Sequence, residues 1–148
     1  MKKIDFTDQY FMKQALQQAK EALAKDEVPV GAVIVSEETI ICKAHNLTET
    51  LNDVTAHAEM LAITSAAEQF GGKYLPNCTL YVTLEPCTMC AGALNWSQIG
   101  RVVFGARDEK RGYQRLSPTP LHPRTEVTSG VLEEECQQMV KQFFAIRR

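Results

Sequence analysis

Thr79-Leu80-Tyr81-Val82-Thr83-Leu84-Glu85-Pro86-Cys87-Thr88-Met89-Cys90 is the stretch whose reading decides the fold. Its first six residues are β-branched, aromatic or leucine, the composition of a strand that packs on a pleated, buried surface. An acid, a proline and two cysteines follow at once. Pro86 suits the first position of a helix, where its missing N–H costs nothing. The reading is therefore a strand that delivers Glu85-Pro86-Cys87 at its carboxyl end and a helix that runs on to about Ser97. Arg101-Val102-Val103-Phe104-Gly105-Ala106 then reads as the next strand. Strand, helix, strand implies a right-handed parallel crossover, and open α/β sheets place their sites at carboxyl edges of this kind.

Working outward, Asp5 to Lys25 reads as an amphipathic helix capped by Asp5 or Thr7. Phe11, Met12, Ala15, Leu16, Ala19, Ala22 and Leu23 form its apolar stripe. Val28 to Val35 reads as a buried strand in which Gly31 marks a close backbone approach. Ser36 to Thr39 is a hairpin turn, and Ile40 to Ala44 is the partner strand. The polar loop from His45 to Thr55 offers His45, Asn46, Asn52 and Asp53 as pocket residues or turn formers. A second helix follows, capped by Thr55 or Asp53, with His57 and Glu59 in its first turn. It ends before Gly71-Gly72. Thr125 to Thr128 reads as a short edge strand, and after Ser129-Gly130 a last helix carries Leu132, Cys136, Met139, Val140, Phe143 and Phe144 on one face. The fold class is α/β: a mixed or mostly parallel sheet with helices on both faces, one domain over residues 1–148.

The chemistry lies in His57-Ala58-Glu59 and Pro86-Cys87-Thr88-Met89-Cys90. Structural zinc sites close with four protein ligands, whereas catalytic ones take three and leave a position to water or substrate. Here the count is three, His57, Cys87 and Cys90, with Glu59 left over as a carboxylate free to move protons. A lone Cys-x-x-Cys can also be a redox pair or half of a zinc ribbon, but the chain has no second pair and nothing thioredoxin-like. His-x-Glu followed by Pro-Cys-x-x-Cys is an already known signature of zinc deaminases; it is matched here rather than derived. The expected cofactor is one Zn²⁺ per chain.

Composition sets outer bounds. The 148 residues are 45% hydrophobic and 23% charged, with no apolar run of membrane-spanning length, so the expectation is a cytoplasmic protein without a membrane partner. Cys42, Cys78 and Cys136 read as reduced, buried small hydrophobes. A net charge of −2 neither advertises nor excludes nucleic acid, because a local patch can carry the electrostatics. Such a patch lies in the proline-rich segment from Arg107 to Arg124, and Arg101, Arg107, Lys110, Arg111, Arg115 and Arg124 make the stretch from 101 basic.

Thr55-Ala56-His57-Ala58-Glu59-Met60, the run from Val82 to Ala93 and Gly100 to Asp108 together resemble the bacterial tRNA-specific adenosine deaminases of the cytidine deaminase-like superfamily. The resemblance extends over nearly the whole chain. It implies a three-layer α/β/α fold, a homodimer and conversion of adenosine to inosine at the wobble position of a tRNA anticodon stem-loop. It implies His57, Cys87 and Cys90 as ligands and Glu59 as proton shuttle. It also implies that Asn46 and the backbone N–H of Ala58 hold the purine against Val30 and that Asp108 meets a flanking nucleotide. Arg107, Lys110, Arg111 and Phe144 are the accompanying candidates for phosphate and base contact, with Arg147 and Arg148 beyond them.

Two alternatives stand beside this reading. The tryptophan in Ala93-Leu94-Asn95-Trp96 resembles that of guanine and other free-purine deaminases of the same fold, and the segment from Tyr113 to Pro123 departs from the usual loop of the tRNA enzymes. A non-catalytic, zinc-stabilised RNA-binding module is the alternative from another class; it has no need of Glu59.

Overall fold

The computed structural model describes residues 2–147, with side chains from residue 7 to 146. Five strands form one mixed sheet: β1 (Gly31–Ser36), β2 (Thr39–His45), β3 (Thr79–Leu84), β4 (Arg101–Ala106) and β5 (Glu126–Ser129), in the order β2-β1-β3-β4-β5. β1 runs antiparallel to both β2 and β3, and the crossover half β3-β4-β5 is parallel. Four helices cover it: α1 (Lys2–Ala24), α2 (Ala58–Phe70), α3 (Thr88–Ser97) and α4 (Glu133–Arg147). The strand and helix read from 79 to 84 and up to Ser97 stand where expected, as does the strand from 101 to 106.

Alternation along each central strand divides the core into two halves. Ala32 and Ile34 of β1, Leu80 and Val82 of β3, and Val102 and Phe104 of β4 face α2 and α3, packing on Ala58, Ala62, Ala66, Ala91 and Leu94. Val33 and Val35, Tyr81 and Val103 face the other way, onto Phe11, Met12, Ala15 and Leu16 of α1 and Cys136 of α4. The result is the three-layer α/β/α arrangement. Cys42, Cys78 and Cys136 are all buried and free, as their reading as small hydrophobes requires.

α1 is fastened closely to the sheet. A Cβ on Gly31 would collide with the carbonyl oxygen of Ala15 and the amide nitrogen of Ala19, so helix and strand meet backbone to backbone there. Asp8, 3% exposed, accepts from both Arg101 guanidinium nitrogens at 3.0 and 2.8 Å and from Tyr81 Oη at 2.7 Å. This removes Arg101 from the basic patch: it is an internal ion-pair partner, further tied to Thr128 Oγ1 at 3.0 Å.

Several boundaries move. α1 begins at Lys2, so Asp5 and Thr7 lie inside the helix and do not cap it. β1 starts at Gly31 rather than Val28, and β5 one residue later than expected. Glu37 and Glu38 both take positive φ, the two-residue turn whose twist matches a hairpin. Among the described residues no helix is long and apolar enough to cross a membrane. The side chain of Arg147 and all of Arg148 lie outside the described residues.

Candidate active site

Two helix starts build the site, and in each the cap position is itself a candidate ligand. His57 is the N-cap of α2 at φ −76°, ψ 154°, and Cys87 the N-cap of α3 at φ −76°, ψ 175°. These extended dihedrals are what a cap residue adopts. Yet neither side chain makes a capping hydrogen bond to its own helix; the two turn toward one another. Thr55 and Asp53 therefore do not cap α2: Asp53 Oδ1 instead accepts from Thr55 N and Oγ1 at 2.8 and 2.7 Å, closing a turn. Pro86 lies one residue before the cap of α3, not at its first helical position.

The donor atoms converge. His57 Nδ1 is 3.6 Å from Cys87 Sγ and 3.5 Å from Cys90 Sγ, and the three donor atoms lie within 4.8 Å of one another. Among the described residues this is the one such group of metal-ligating side chains, and no fourth protein ligand joins it. Two soft thiols and an imidazole suit zinc, and three donors leave the open position of a catalytic site.

Protonation follows from the crowding. The Cys87 thiol is held down to about 4 by its hydrogen bond with Cys90, against burial, and by the hydrogen bond with His57. The same Cys87 contact and burial push Cys90 far upward, while His57 is raised by its bond to Cys87. The shared contacts thus favour a thiolate at Cys87, the charged form in which a thiol binds a metal cation. Glu59, 4% exposed, is pushed up to about 7, mainly by burial. A carboxyl with that midpoint can take or give a proton near neutrality.

The expected site residues come together in one cavity of about 680 Å³. Val30, Asn46, His57, Glu59, Cys87, Arg107, Asp108, Lys110, Arg111 and Phe144 all line it, with Cys90 fully buried behind them. A larger surface groove of about 910 Å³ between α1 and α4 contains none of these groups. Asn46, 8% exposed, does double service. Its Oδ1 accepts the N–H of Ala58 at 2.8 Å, so that N–H is already engaged and Asn46 acts as the missing cap of α2. His45 turns inward to Gln18 at 2.9 Å and Lys25 at 3.0 Å, and Asn52 is an exposed turn residue with φ 52°.

Sequence reasoning missed two acids. Glu27 is fully buried and gathers the next loop by accepting from Glu49 N at 3.1 Å, Thr50 N at 2.7 Å and Thr50 Oγ1 at 2.7 Å. Glu85, 3% exposed, accepts from Asp108 N and Gln114 N, both at 2.9 Å. Their partners, most of them backbone N–H groups, lie more than twenty residues away, which no local pattern announces. Arg115 and Arg124 do not line the cavity, and His122 closes a turn with Arg124 N at 3.1 Å.

Residues 6–106 match the family model described as the cytidine and deoxycytidylate deaminase zinc-binding region. The chain is 49% identical over 142 residues to the tRNA-specific adenosine deaminase of Bacillus subtilis (strain 168), covering 93% of this chain and 88% of that one. The chain belongs to the tRNA-specific adenosine deaminase family. A solved structure from work on A-to-I editing by tRNA:A34 deaminases superimposes with a TM-score of 0.83 at 44% identity, covering 88% of this chain and 98% of that one. A guanine deaminase from Bacillus subtilis matches less of the chain, with a TM-score of 0.64 and 41% identity over 66% of it and 63% of that structure. The family is one of zinc-dependent hydrolytic deaminases, and the donor set found here has that chemistry. The match to the zinc-binding region stops at Ala106, so the turn that carries Arg107, Asp108, Lys110 and Arg111 lies just outside it.

Proposed function

We propose that the chain converts adenosine to inosine at the wobble position of a tRNA anticodon loop, as a zinc-loaded homodimer in the cytoplasm. The observation that carries this reading is that the His57, Cys87, Cys90 trio, buried Glu59 and the basic turn from Arg107 to Arg111 open onto one cavity. Free bases need no cationic rim; a phosphate-bearing loop does. Trp96, the sequence argument for a free-purine substrate, is 82% exposed and does not line the cavity, so it takes no part in choosing a base there. Together with Met89, 37% exposed and two turns away on α3, it offers apolar surface for association between copies. The zinc-stabilised binding-module alternative leaves unexplained why a carboxyl is buried beside an open set of three donors.

His57, Cys87 and Cys90 would hold the zinc, which when bound supplies a Lewis acid that brings the pKa of a water toward about 7. Glu59 takes a proton from the attacking water and returns it to N1 of adenine as the water oxygen adds at C6. A second transfer through Glu59 to the exocyclic nitrogen releases ammonia, so adenosine and water become inosine and ammonia. Asn46 and Val30 flank the ring. Arg107, Asp108, Lys110, Arg111 and Phe144 receive the flanking nucleotides, whose unstacking in a hairpin loop costs little. Val30, Asn46 and the 107–111 turn share the cavity with Glu59.

Ammonia release from an anticodon stem-loop, adenosine, adenine and guanine, measured side by side, tests the reading. The stem-loop is expected to exceed the others in kcat/KM by at least about a hundredfold, because its remote contacts are used at the reacting centre. Guanine as the best substrate would transfer the chain to the free-purine reading, and no release from any of the four would leave the binding module.

A further inference from the structure

We propose that Glu85 is a positioning residue that holds the basic turn over the metal-ligating motif and thereby sets the affinity for RNA. The backbone of Glu85 continues β3 by donating to Ala106 O at 2.8 Å, so the residue joins the carboxyl ends of β3 and β4. Its side chain then leaves the strand and closes on a loop. One carboxylate oxygen receives the N–H of Asp108 and the other that of Gln114, both at 2.9 Å, so one side chain fixes the two ends of a single turn. Between those ends the turn is internally braced. Asp108 Oδ1 accepts from Lys110 N and Arg111 N at 3.1 Å, and Gly112 N donates to Asp108 O at 2.8 Å.

The fit is tight and directed. A Cβ on Gly112 would collide with Glu85 Cδ and Oε2, so the backbone lies flat against the carboxylate. Gly112 pairs with Cys87 in an isolated β-bridge, and Tyr113 N donates to Pro86 O at 3.0 Å, which places the turn directly on the Pro-Cys motif. No cation pairs with Glu85 among the described residues. A carboxylate buried without a counter-charge is expensive unless its hydrogen bonds compensate. Glutamine would retain only one acceptor oxygen and would turn an NH₂ group toward a backbone N–H. The arrangement is therefore specific to a carboxylate with two acceptors.

This inference rests on the reading of Lys110 and Arg111 as RNA contacts, and its test separates the two. In zinc-loaded protein, stem-loop Kd is measured across a salt series for the parent, Glu85→Gln, the pair Lys110→Ala with Arg111→Ala, and the combined triple variant. Glu85→Gln is expected to weaken binding about tenfold and flatten the salt slope, with the loss in turnover falling on KM rather than kcat. The triple variant is expected within about twofold of the weaker of its parents, since residues acting as one unit are not additive. Effects that multiply in the triple variant, or an unchanged salt slope in Glu85→Gln, overturn the proposal. If the Lys110, Arg111 pair variant binds RNA normally, the RNA reading of the turn is what fails. The positioning role is then decided by native tryptic cleavage after Lys110 and Arg111, faster in Glu85→Gln if it holds and unchanged if it does not. Should Glu85→Gln fail to fold, Glu85→Asp, one methylene too short to span both N–H groups, is measured in its place.

Discussion

The floor and the rim of the cavity are built by opposite means. At the floor, His57, Glu59, Cys87 and Cys90 come from the first turns of two helices that are themselves packed on the sheet, and Cys90 and Glu59 are buried. At the rim, Lys110 and Arg111 are exposed on a turn whose placement depends on the hydrogen bonds of Glu85 and Asp108. The floor holds its side chains by packing, while the rim places charges by a few replaceable bonds. Chemistry and recognition can thus vary almost independently, one fixed by the core and the other by a clip.

Breaking the floor should cost most. Cys87→Ser is expected to lose zinc and with it turnover down to background, read by metal analysis alongside ammonia release; full zinc and activity in both Cys87→Ser and Cys90→Ser would mean that the trio is misassigned. Glu59→Ala is expected to keep one zinc per chain and lose about a hundredfold to ten-thousandfold in kcat, toward the upper end because two proton transfers depend on it. Near-normal turnover in that folded, zinc-loaded variant would remove the distinction between floor and rim.

Breaking the rim should cost less and in a different currency. Lys110→Ala with Arg111→Ala should raise stem-loop Kd about tenfold at moderate salt and reduce the salt slope by about 2, one for each lost phosphate contact, with zinc content intact. Binding that stays as salt-dependent as in the parent would move the RNA elsewhere.

The loop that Glu27 gathers before α2 sharpens the comparison through pH. Glu27 is buried, which raises its pKa, yet the bonds from Thr50, Glu49 and Thr48 outweigh this and hold it below its ordinary value of 4.5. A carboxyl depressed in the folded state contributes stability above its unfolded pKa and loses it as pH falls through the lower folded value. Glu27→Gln should therefore be destabilised at pH 7 by about 1 kcal/mol, the cost of replacing a charged acceptor for part-buried donors by a neutral one. The gap in unfolding free energy from the parent should narrow below about pH 4.5. A gap independent of pH would show that the bonds matter only sterically.

The floor was legible because ligand chemistry leaves few choices of residue and spacing, and the strand and helix that carry Cys87 and Cys90 have strong local preferences. What could not be read depended on distance along the chain. Arg101 looked like one more surface cation until Asp8, 93 residues away, was found to hold it. The cap assigned to Thr55 or Asp53 and the first helical position assigned to Pro86 followed ordinary helix rules, but the ligands themselves occupy the cap positions, and Asn46 supplies from afar the acceptor that α2 lacks. Glu27 and Glu85 carry no local signal of their roles, because donors on distant loops leave no mark in sequence pattern.

The contact between Gly31 and α1 also bears on how the sequence can drift. Any side chain at position 31 would have to displace the carbonyl of Ala15 and the amide of Ala19, so a helix would move off the sheet to accommodate a single codon change. The positions facing it inherit part of that constraint, for Ala15 and Ala19 are fully buried alanines. Gly72, with nothing within 4 Å of where a Cβ would stand, carries no such restriction. In a library drawn over this chain, substitutions at 31 should vanish from the functional pool first, and those at 72 should persist among the survivors.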